Sequence, residues 1–158
     1  MHSSVSIWIA APPERVFELV ADLERWPERL PHYRYVRVVG RTGTVTRARM
    51  SARRGVLPVF WVADQTPDAG AGTIRFRHVG GVTRGMDVLW TLRPERSGAR
   101  DGTRASITHD LDFRLGPAPV GRFLAERVIA SQFIEPIAGE TLRRFKAIAE
   151  APAASRRR

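Results

Sequence analysis

The chain has 158 residues, a formal net charge of +10 and no cysteine. This length suits one domain with one core, and the lack of cysteine excludes disulfides, thiolate nucleophiles and cysteine metal sites. The charge could attract polyanions. However, every basic residue except Lys146 is arginine and the arginines are dispersed, which is typical of a GC-rich genome. The charge by itself therefore does not favour a nucleic-acid partner.

The start of the chain predicts one strand and two short helices. Residues 5–9 alternate between apolar and other side chains, which is typical of a strand. Pro12 and Pro13 follow, where the first turn of a helix tolerates proline, and an apolar face continues to about residue 22. A second helical turn is predicted at residues 24–29. No signal peptide or membrane-spanning run is visible, which predicts a soluble, cytoplasmic protein.

The middle of the chain predicts six more strands. They lie at residues 33–39, 44–52, 56–65, 73–79, 85–93 and 103–114, separated by glycine-rich turns and by a polar loop at residues 94–102. Connections of hairpin length favour antiparallel pairing. We therefore predict an α+β fold with a seven-stranded antiparallel sheet.

A long helical run is predicted at residues 120–149. Its apolar stripe comprises Ile134, Ala138, Leu142, Phe145 and Ala149. Pro136 lies inside the run, where it removes a backbone donor and predicts a kink or a break. We predict a single domain over residues 1–150 and a basic, disordered tail at residues 151–158.

Alternation along the strands gives the sheet one apolar and one charged face. Arginines and aspartates on the charged face are expected to pair across strands. One helix is about 10 Å wide and a seven-stranded sheet roughly three times that, so either the sheet curls tightly or space remains. Trp61 and Trp90 could fill that space, and small Ala138 and Gly139 could leave it open. An apolar cavity with a few polar groups is the usual form of a small-molecule site.

Three segments carry a family resemblance: APPERVF at residues 11–17, DLERWP at residues 22–27 and the DGT turn at residues 101–103. Followed by the long C-terminal helix, they resemble the START-like (SRPBCC) superfamily with the helix-grip fold, in particular its polyketide cyclase/dehydrase and coenzyme Q-binding branch. The resemblance implies a seven-stranded antiparallel sheet wrapped around the C-terminal helix, a deep hydrophobic cavity and no intrinsic cofactor.

Within this superfamily the pattern is most similar to that of bacterial aromatic polyketide aromatase/cyclases. Tyr33 and Trp90 match pocket positions of those enzymes. The arginine that they place on the middle strand aligns with Gln65, and a second basic pocket position aligns with His78. Gln65 can donate a hydrogen bond but brings no charge, so enolate stabilisation would be weaker.

The candidate catalytic residues are Tyr33, Gln65, His78 and His109, of which the two histidines have the parity of the apolar face. Each histidine could serve as an acid or base, or simply be a locally bonded core residue. His2 and His32 receive no role. The predicted ligand-binding residues are Tyr33, Met50, Trp61, Gln65, Phe76, His78, Met86, Val88, Trp90, Ile107, His109, Ile134 and Ala138. Their aromatic members could form a cage for a flat ligand or be ordinary core.

Three hypotheses about function remain at this point. The first is a binding protein for a hydrophobic small molecule such as a lipid, an isoprenoid quinone or a polyketide. The second is an aromatase/cyclase-like enzyme acting on a polyketide, and the third is a module that docks on RNA, ribosomes or an anionic membrane. The histidines lack metal-site spacing, so no metal is expected. The sequence leaves the oligomeric state open.

Overall fold

The computed structural model describes residues 1–111 and 130–152. The helices are α1 (Pro13–Ala21), α2 (Trp26–Arg29) and α3 (Glu135–Glu150), with a 3-10 turn at Leu23–Arg25 and a π-helical turn at Ala130–Ile134. The strands are β1 (His2–Ile9), β2 (Tyr33–Thr42), β3 (Val45–Arg54), β4 (Leu57–Asp68), β5 (Thr73–Gly81), β6 (Asp87–Ser97) and β7 (Arg100–Asp110). The predictions for residues 112–114 of the last strand, for the helical run at 120–129 and for the tail at 153–158 lie outside the described residues.

All seven strands form one antiparallel sheet in the order β1-β7-β6-β5-β4-β3-β2. The first strand therefore pairs with the last, and the two short helices connect β1 to the opposite edge. α3 crosses the apolar face of the sheet, with α1 beside it. The α+β architecture predicted from the sequence is confirmed.

α3 is held by the predicted apolar stripe. Phe145 is fully buried, and Ile134, Ala138, Leu142 and Ala149 are buried around it. Pro136 lies in the first turn of α3, a position where proline is tolerated. The predicted break therefore takes the form of a helix start, preceded by a π-helical turn.

Strand ends were predicted too short where the sequence is polar. The predicted loop at residues 94–102 is a tight hairpin, since β6 runs to Ser97 and β7 begins at Arg100. Arg104 forms an ion pair with Glu95 across these strands, with Nη2 to Oε1 at 2.7 Å. Charged residues that pair across strands are as compatible with a solvent-exposed strand as with a loop. Polarity alone therefore predicted the end of β6 and the start of β7 wrongly.

The charged face carries the predicted cross-strand pairs. Arg47 donates to both carboxylate oxygens of Asp64, at 2.7 and 2.9 Å, and Arg75 donates to Asp87 at 3.3 Å. These pairs are exposed to solvent and contribute little to stability. The functional groups must therefore be sought on the other face.

Candidate functional site

A cavity of about 430 Å³ lies between the apolar face of the sheet and α3. Its walls come from α2, from every strand between β2 and β7, from the π-helical turn and from α3. Trp61 and Trp90 line this space without filling it. The α3 side is formed by Ile134, Ile137, Ala138 and Thr141. The sheet is thus wider than its helix, and the remaining volume is a pocket of small-molecule size.

Trp26 is the centre of the aromatic wall. Its ring is 2% exposed and its Nε1 donates to the carbonyl oxygen of Val20 at 3.0 Å. It contacts the rings of Tyr33 (5.2 Å between centroids), Phe76 (5.8 Å), Trp90 (6.3 Å) and Phe145 (5.7 Å). The satisfied N–H and tilted packing leave a rigid apolar surface toward the cavity.

His78 lies on β5 with its ring stacked on Trp61, at 5.7 Å between centroids and 6° between planes. Its Nδ1 is 2.6 Å from Oγ1 of Thr83, which also lines the cavity. Burial lowers the pKa of His78 to about 3, and the nearby His109 adds to this effect. The imidazole is therefore neutral at pH 7, and the Thr83 contact sets whether Nε2 donates or accepts.

His109 is the second imidazole of the cavity. It lies on β7 opposite Val88 of β6 and is 8% exposed. Burial lowers its pKa to about 4, against a smaller upward effect from Asp110. Among the described residues, neither ring nitrogen has a hydrogen-bond partner, and Nδ1 is fully buried. A buried polar ring without a partner is a group that a bound molecule could satisfy.

A second polar group lies near the start of α3. Thr141 Oγ1 donates to the carbonyl oxygen of Ile137 at 2.8 Å and lies 2.8 Å from Nε2 of His32. Burial raises the pKa of Tyr33, and the nearby Thr141 side chain partly opposes that rise. The phenol therefore stays protonated, and His32, given no role from the sequence, orders this end of the site.

The described cavity wall contains no lysine, arginine, aspartate or glutamate. Its polar members are two neutral histidines, a protonated tyrosine and two threonines. A charged ligand group buried here would meet no side chain of opposite charge, which is costly. The site suits molecules that are uncharged where they touch it.

Most of the predicted ligand-binding residues lie on this wall. They are Tyr33, Met50, Trp61, Phe76, His78, Met86, Val88, Trp90, Ile107, His109, Ile134 and Ala138. Most of them lie on strands, where alternation along the chain determines which side of the sheet a side chain faces. Their position on the cavity wall could therefore be predicted from the sequence. Trp26, Thr83 and Thr141 were missed, because they lie on a short helix, in a turn and on a helix face that periodicity marks only as buried.

Two predictions about the cavity need correction. Gln65 is buried but does not line the cavity, since its Nε2 donates to the carbonyl oxygen of Ala21 at 3.2 Å. The amide fixes the end of α1 to β4, so the inward parity was right and the partner is backbone. Gly139 also lies off the wall, and a side chain there would face Arg143. Ala138 alone of the two small residues shapes the cavity.

Comparison with known proteins gives the class to which this fold and site belong. A family model described as polyketide cyclase / dehydrase and lipid transport matches residues 9–135. The chain is 36% identical over 123 residues to a putative polyketide cyclase from Streptomyces cyaneus, covering 75% of this chain and 77% of that protein. The chain belongs to the polyketide cyclase/dehydrase and lipid transport family.

Solved structures share the same architecture. The Zhui aromatase/cyclase from Streptomyces sp. R1128 superposes with a TM-score of 0.77 at 21% identity, covering 98% of this chain and 97% of that one. A START superfamily protein from Mycobacterium smegmatis gives 0.62 at 15% identity, covering 93% and 98%. The START-like helix-grip fold predicted from the sequence is confirmed. Within the described residues, no helix is long and apolar enough to cross a membrane.

Proposed function

We propose that this protein binds an uncharged, hydrophobic small molecule in the cavity beneath α3. The observation that carries the proposal is a cavity of about 430 Å³ whose described wall is aromatic and aliphatic and holds no charged side chain. Burial of apolar ligand surface would supply the affinity. Neutral lipids, isoprenoid quinones and uncharged polyketides meet this description.

The polar groups favour a ligand with oxygen functions. Tyr33 can donate a hydrogen bond, and the free ring nitrogens of His78 and His109 can donate or accept according to tautomer. Groups of this kind fix orientation in an apolar site without adding charge. A ketone or quinone oxygen would satisfy them.

Paired ligands that differ in charge test the proposal. 2-Acetylnaphthalene and 2-naphthoate have similar shapes, but only the second is an anion at pH 7.5. Trp26, Trp61 and Trp90 line the cavity, so their fluorescence reports binding. We expect saturable binding of the ketone and at least tenfold weaker binding of the carboxylate, about 1.4 kcal/mol. Equal affinities, or tighter binding of the anion, would contradict an uncharged site.

The second candidate is a cyclase-like enzyme acting on a polyketide, which the putative polyketide cyclase from Streptomyces cyaneus supports by likeness. In this mechanism an imidazole takes a proton from a carbon between two ketones while Tyr33 holds a ketone oxygen. The resulting carbanion attacks a second ketone carbon of the same chain, whose C=O π electrons move to oxygen, and that oxygen takes the proton back from the imidazolium. The new hydroxyl then leaves with an α-hydrogen as water. Two buried histidines and one tyrosine on the wall of the same cavity are the candidates for these roles.

The histidine pKa values place this candidate second. A general base works best with a pKa near the working pH, and values of about 3 and 4 make His78 and His109 weak bases at pH 7. Gln65, aligned with the arginine of the cyclases, is held by Ala21 and cannot polarise a ketone. Either imidazole would become an effective base only if a bound ligand stabilised its protonated form and so raised its pKa.

A product assay tests the enzymatic candidate. In a reconstituted reaction that supplies a linear poly-β-ketone, the wild-type protein should enrich one cyclised product over the spontaneous mixture. His78→Ala and His109→Ala should each reduce that enrichment. If both variants leave the product ratio unchanged, the histidines have no part in the chemistry, and a ratio equal to that without protein would exclude the activity.

A further inference from the structure

Large apolar side chains are exposed at one end of the sheet. Val56 is 93% exposed, Val82 72%, Leu57 55% and Phe60 44%. In the described residues, one other large apolar side chain is comparably exposed, Val39 at 52%. We call Val56, Leu57, Phe60 and Val82 the apolar rim. Such clustering, unlike scattered exposed apolar residues, marks an interaction surface.

The rim is formed by two neighbouring hairpin ends. Val56 lies in the β3–β4 connection, Leu57 begins β4, and Val82 follows β5 directly. Gly81 pairs with Trp61 and has a φ of 87°, and a Cβ there would lie 2.4 Å from the carbonyl oxygen of Phe60. This close approach holds the β5–β6 turn against β4, so the apolar tips project as one fixed group.

The rim is continuous with the cavity. Leu57, Phe60 and Val82 are exposed on the outside and also line the cavity wall. An apolar surface therefore extends without interruption from solvent to the interior. Whatever covers the rim lies directly at the mouth of the site.

The surroundings of the rim are positively charged. Arg53 and Arg54 end β3, and Arg84 lies in the β5–β6 turn, all three exposed. Residues 51–62 and 80–86 contain no aspartate or glutamate. Within the described residues none of these three arginines forms an ion pair. Elsewhere on the sheet, Arg47, Arg75, Arg96 and Arg104 have carboxylate partners, whereas Arg34, Arg37, Arg49 and Arg93 have none within the described residues. What distinguishes the rim is that unpaired arginines lie beside exposed apolar side chains.

We propose that the apolar rim docks on the surface of a lipid bilayer that contains anionic headgroups. Aliphatic tips would enter the boundary between headgroups and acyl chains, and the unpaired arginines would neutralise lipid phosphates around them. A nucleic acid would use the arginines but would leave Val56, Leu57 and Val82 without a partner. A bilayer is the occupant that satisfies both halves of the surface.

Docking places the mouth of the cavity against the hydrocarbon region. Transfer of a ligand between bilayer and cavity rests on the proposed function, whereas docking itself does not. The two are therefore measured separately, one with vesicles and one with 2-acetylnaphthalene.

Vesicle co-sedimentation of the full chain tests docking, with phosphatidylcholine alone and with 30% phosphatidylglycerol added. Val56→Asp is compared with Val39→Asp, which carries the same charge change on an exposed valine of β2. We expect anionic vesicles to bind the wild type and the Val39 variant alike. Val56→Asp should bind at least tenfold more weakly, because a carboxylate at the tip opposes both insertion and lipid charge.

The arginines have a matched control at the other end of the sheet. Arg53→Gln/Arg54→Gln and Arg93→Gln/Arg96→Gln remove the same charge. Roughly fivefold per arginine is expected for a surface contact, so the first pair should lose about tenfold or more and the second less than threefold. Equal losses would show diffuse attraction to the overall charge and would overturn the proposal.

Three further outcomes would overturn it. Vesicle binding that Val56→Asp leaves unchanged would mean that the rim does not insert. No binding to anionic vesicles by the wild type would exclude a bilayer as the occupant. The rim could instead join two copies of this chain. Sedimentation equilibrium tests this, because a wild-type dimer that dissociates in the Val56→Asp variant would show that the rim is a dimer interface. In all variants 2-acetylnaphthalene affinity should remain within twofold, because none of the substituted residues lines the cavity.

Discussion

At the scale of single residues, burial decides the chemistry of the cavity. His78 and His109 are each 8% exposed, and desolvation is the largest cause of their lowered pKa values. Both therefore act as neutral hydrogen-bonding groups at pH 7. Tyr33 is kept protonated by the same effect. The described part of the cavity wall therefore holds polar atoms and no charged side chain.

Gln65 gives a prediction at this scale. Replacing it with leucine removes the hydrogen bond to the Ala21 carbonyl and leaves that carbonyl without its side-chain donor. We expect Gln65→Leu to lower the free energy of unfolding by about 1–2 kcal/mol, measured by urea denaturation. The affinity for 2-acetylnaphthalene should stay within twofold. A large loss of affinity without a loss of stability would return Gln65 to the binding site.

At the scale of elements, α3 sets how much space remains under the sheet. Phe145, Leu142 and Ala149 attach its C-terminal half to the core, while Ile134 and Ala138 face the cavity. The helix begins after a π-helical turn, a form that often accompanies functional sites. Ala138 is thus the position where α3 limits the cavity least.

A size change on α3 tests this directly. Ala138→Trp should fill the cavity and reduce 2-acetylnaphthalene affinity at least tenfold, because the indole occupies the ligand's space. Ala147→Trp is the matched control, since Ala147 lies on the exposed face of the same helix; it should bind as the wild type does. Thermal denaturation shows whether both remain folded. Unchanged affinity in a folded Ala138→Trp protein would place the ligand elsewhere.

Element types and faces were predictable because local patterns determine them. The stripe around Phe145 and the alternation around Phe76 and His109 each follow from burial on one side. Strand ends at Ser97 and Arg100 were not predictable, because charged residues pair in ladders as readily as they enter loops. Strand alternation alone could not settle whether Tyr33 faces inward, because a register shift between Tyr33 and Tyr35 changes which of the two does so.

The hydrogen-bond partners of the site were not predictable from sequence. Gln65 forms a hydrogen bond with Ala21, and His32 with Thr141, although the partners are 44 and 109 residues apart in the sequence. The polarity of such side chains shows that they need partners, but only the fold decides which atoms come near. The absence of charge from the wall likewise depends on where every arginine points.

At the scale of the whole molecule, the two histidines make stability depend on pH. Their folded pKa values of about 3 and 4 lie below the usual value of 6.5. As the pH falls below about 6.5, these two histidines therefore become protonated in the unfolded chain but stay neutral in the folded chain. Stability is complete above that pH and is lost toward pH 3.

The interval between pH 5 and 6.5 reports on the histidines, because carboxylates titrate mainly below it. Burial also lowers the pKa of His32, so His32 contributes to the slope in both proteins compared here. We expect the free energy of unfolding to fall with decreasing pH there, by up to about 1.4 kcal/mol per pH unit for each histidine. The double variant His78→Phe/His109→Phe should flatten the slope. Urea denaturation at half-unit pH steps measures it, and equal slopes in both proteins would mean that the rings are not buried as described.

Native mass spectrometry is the most direct test of a cavity that binds an uncharged hydrophobic molecule. The protein is purified without detergent from the organism that encodes it, alongside the Ala138→Trp variant, and any bound molecule is extracted and identified. We expect a one-to-one adduct of an uncharged, apolar compound in the wild type and its loss in the variant. An anionic ligand, or an adduct equally abundant in both proteins, would contradict it.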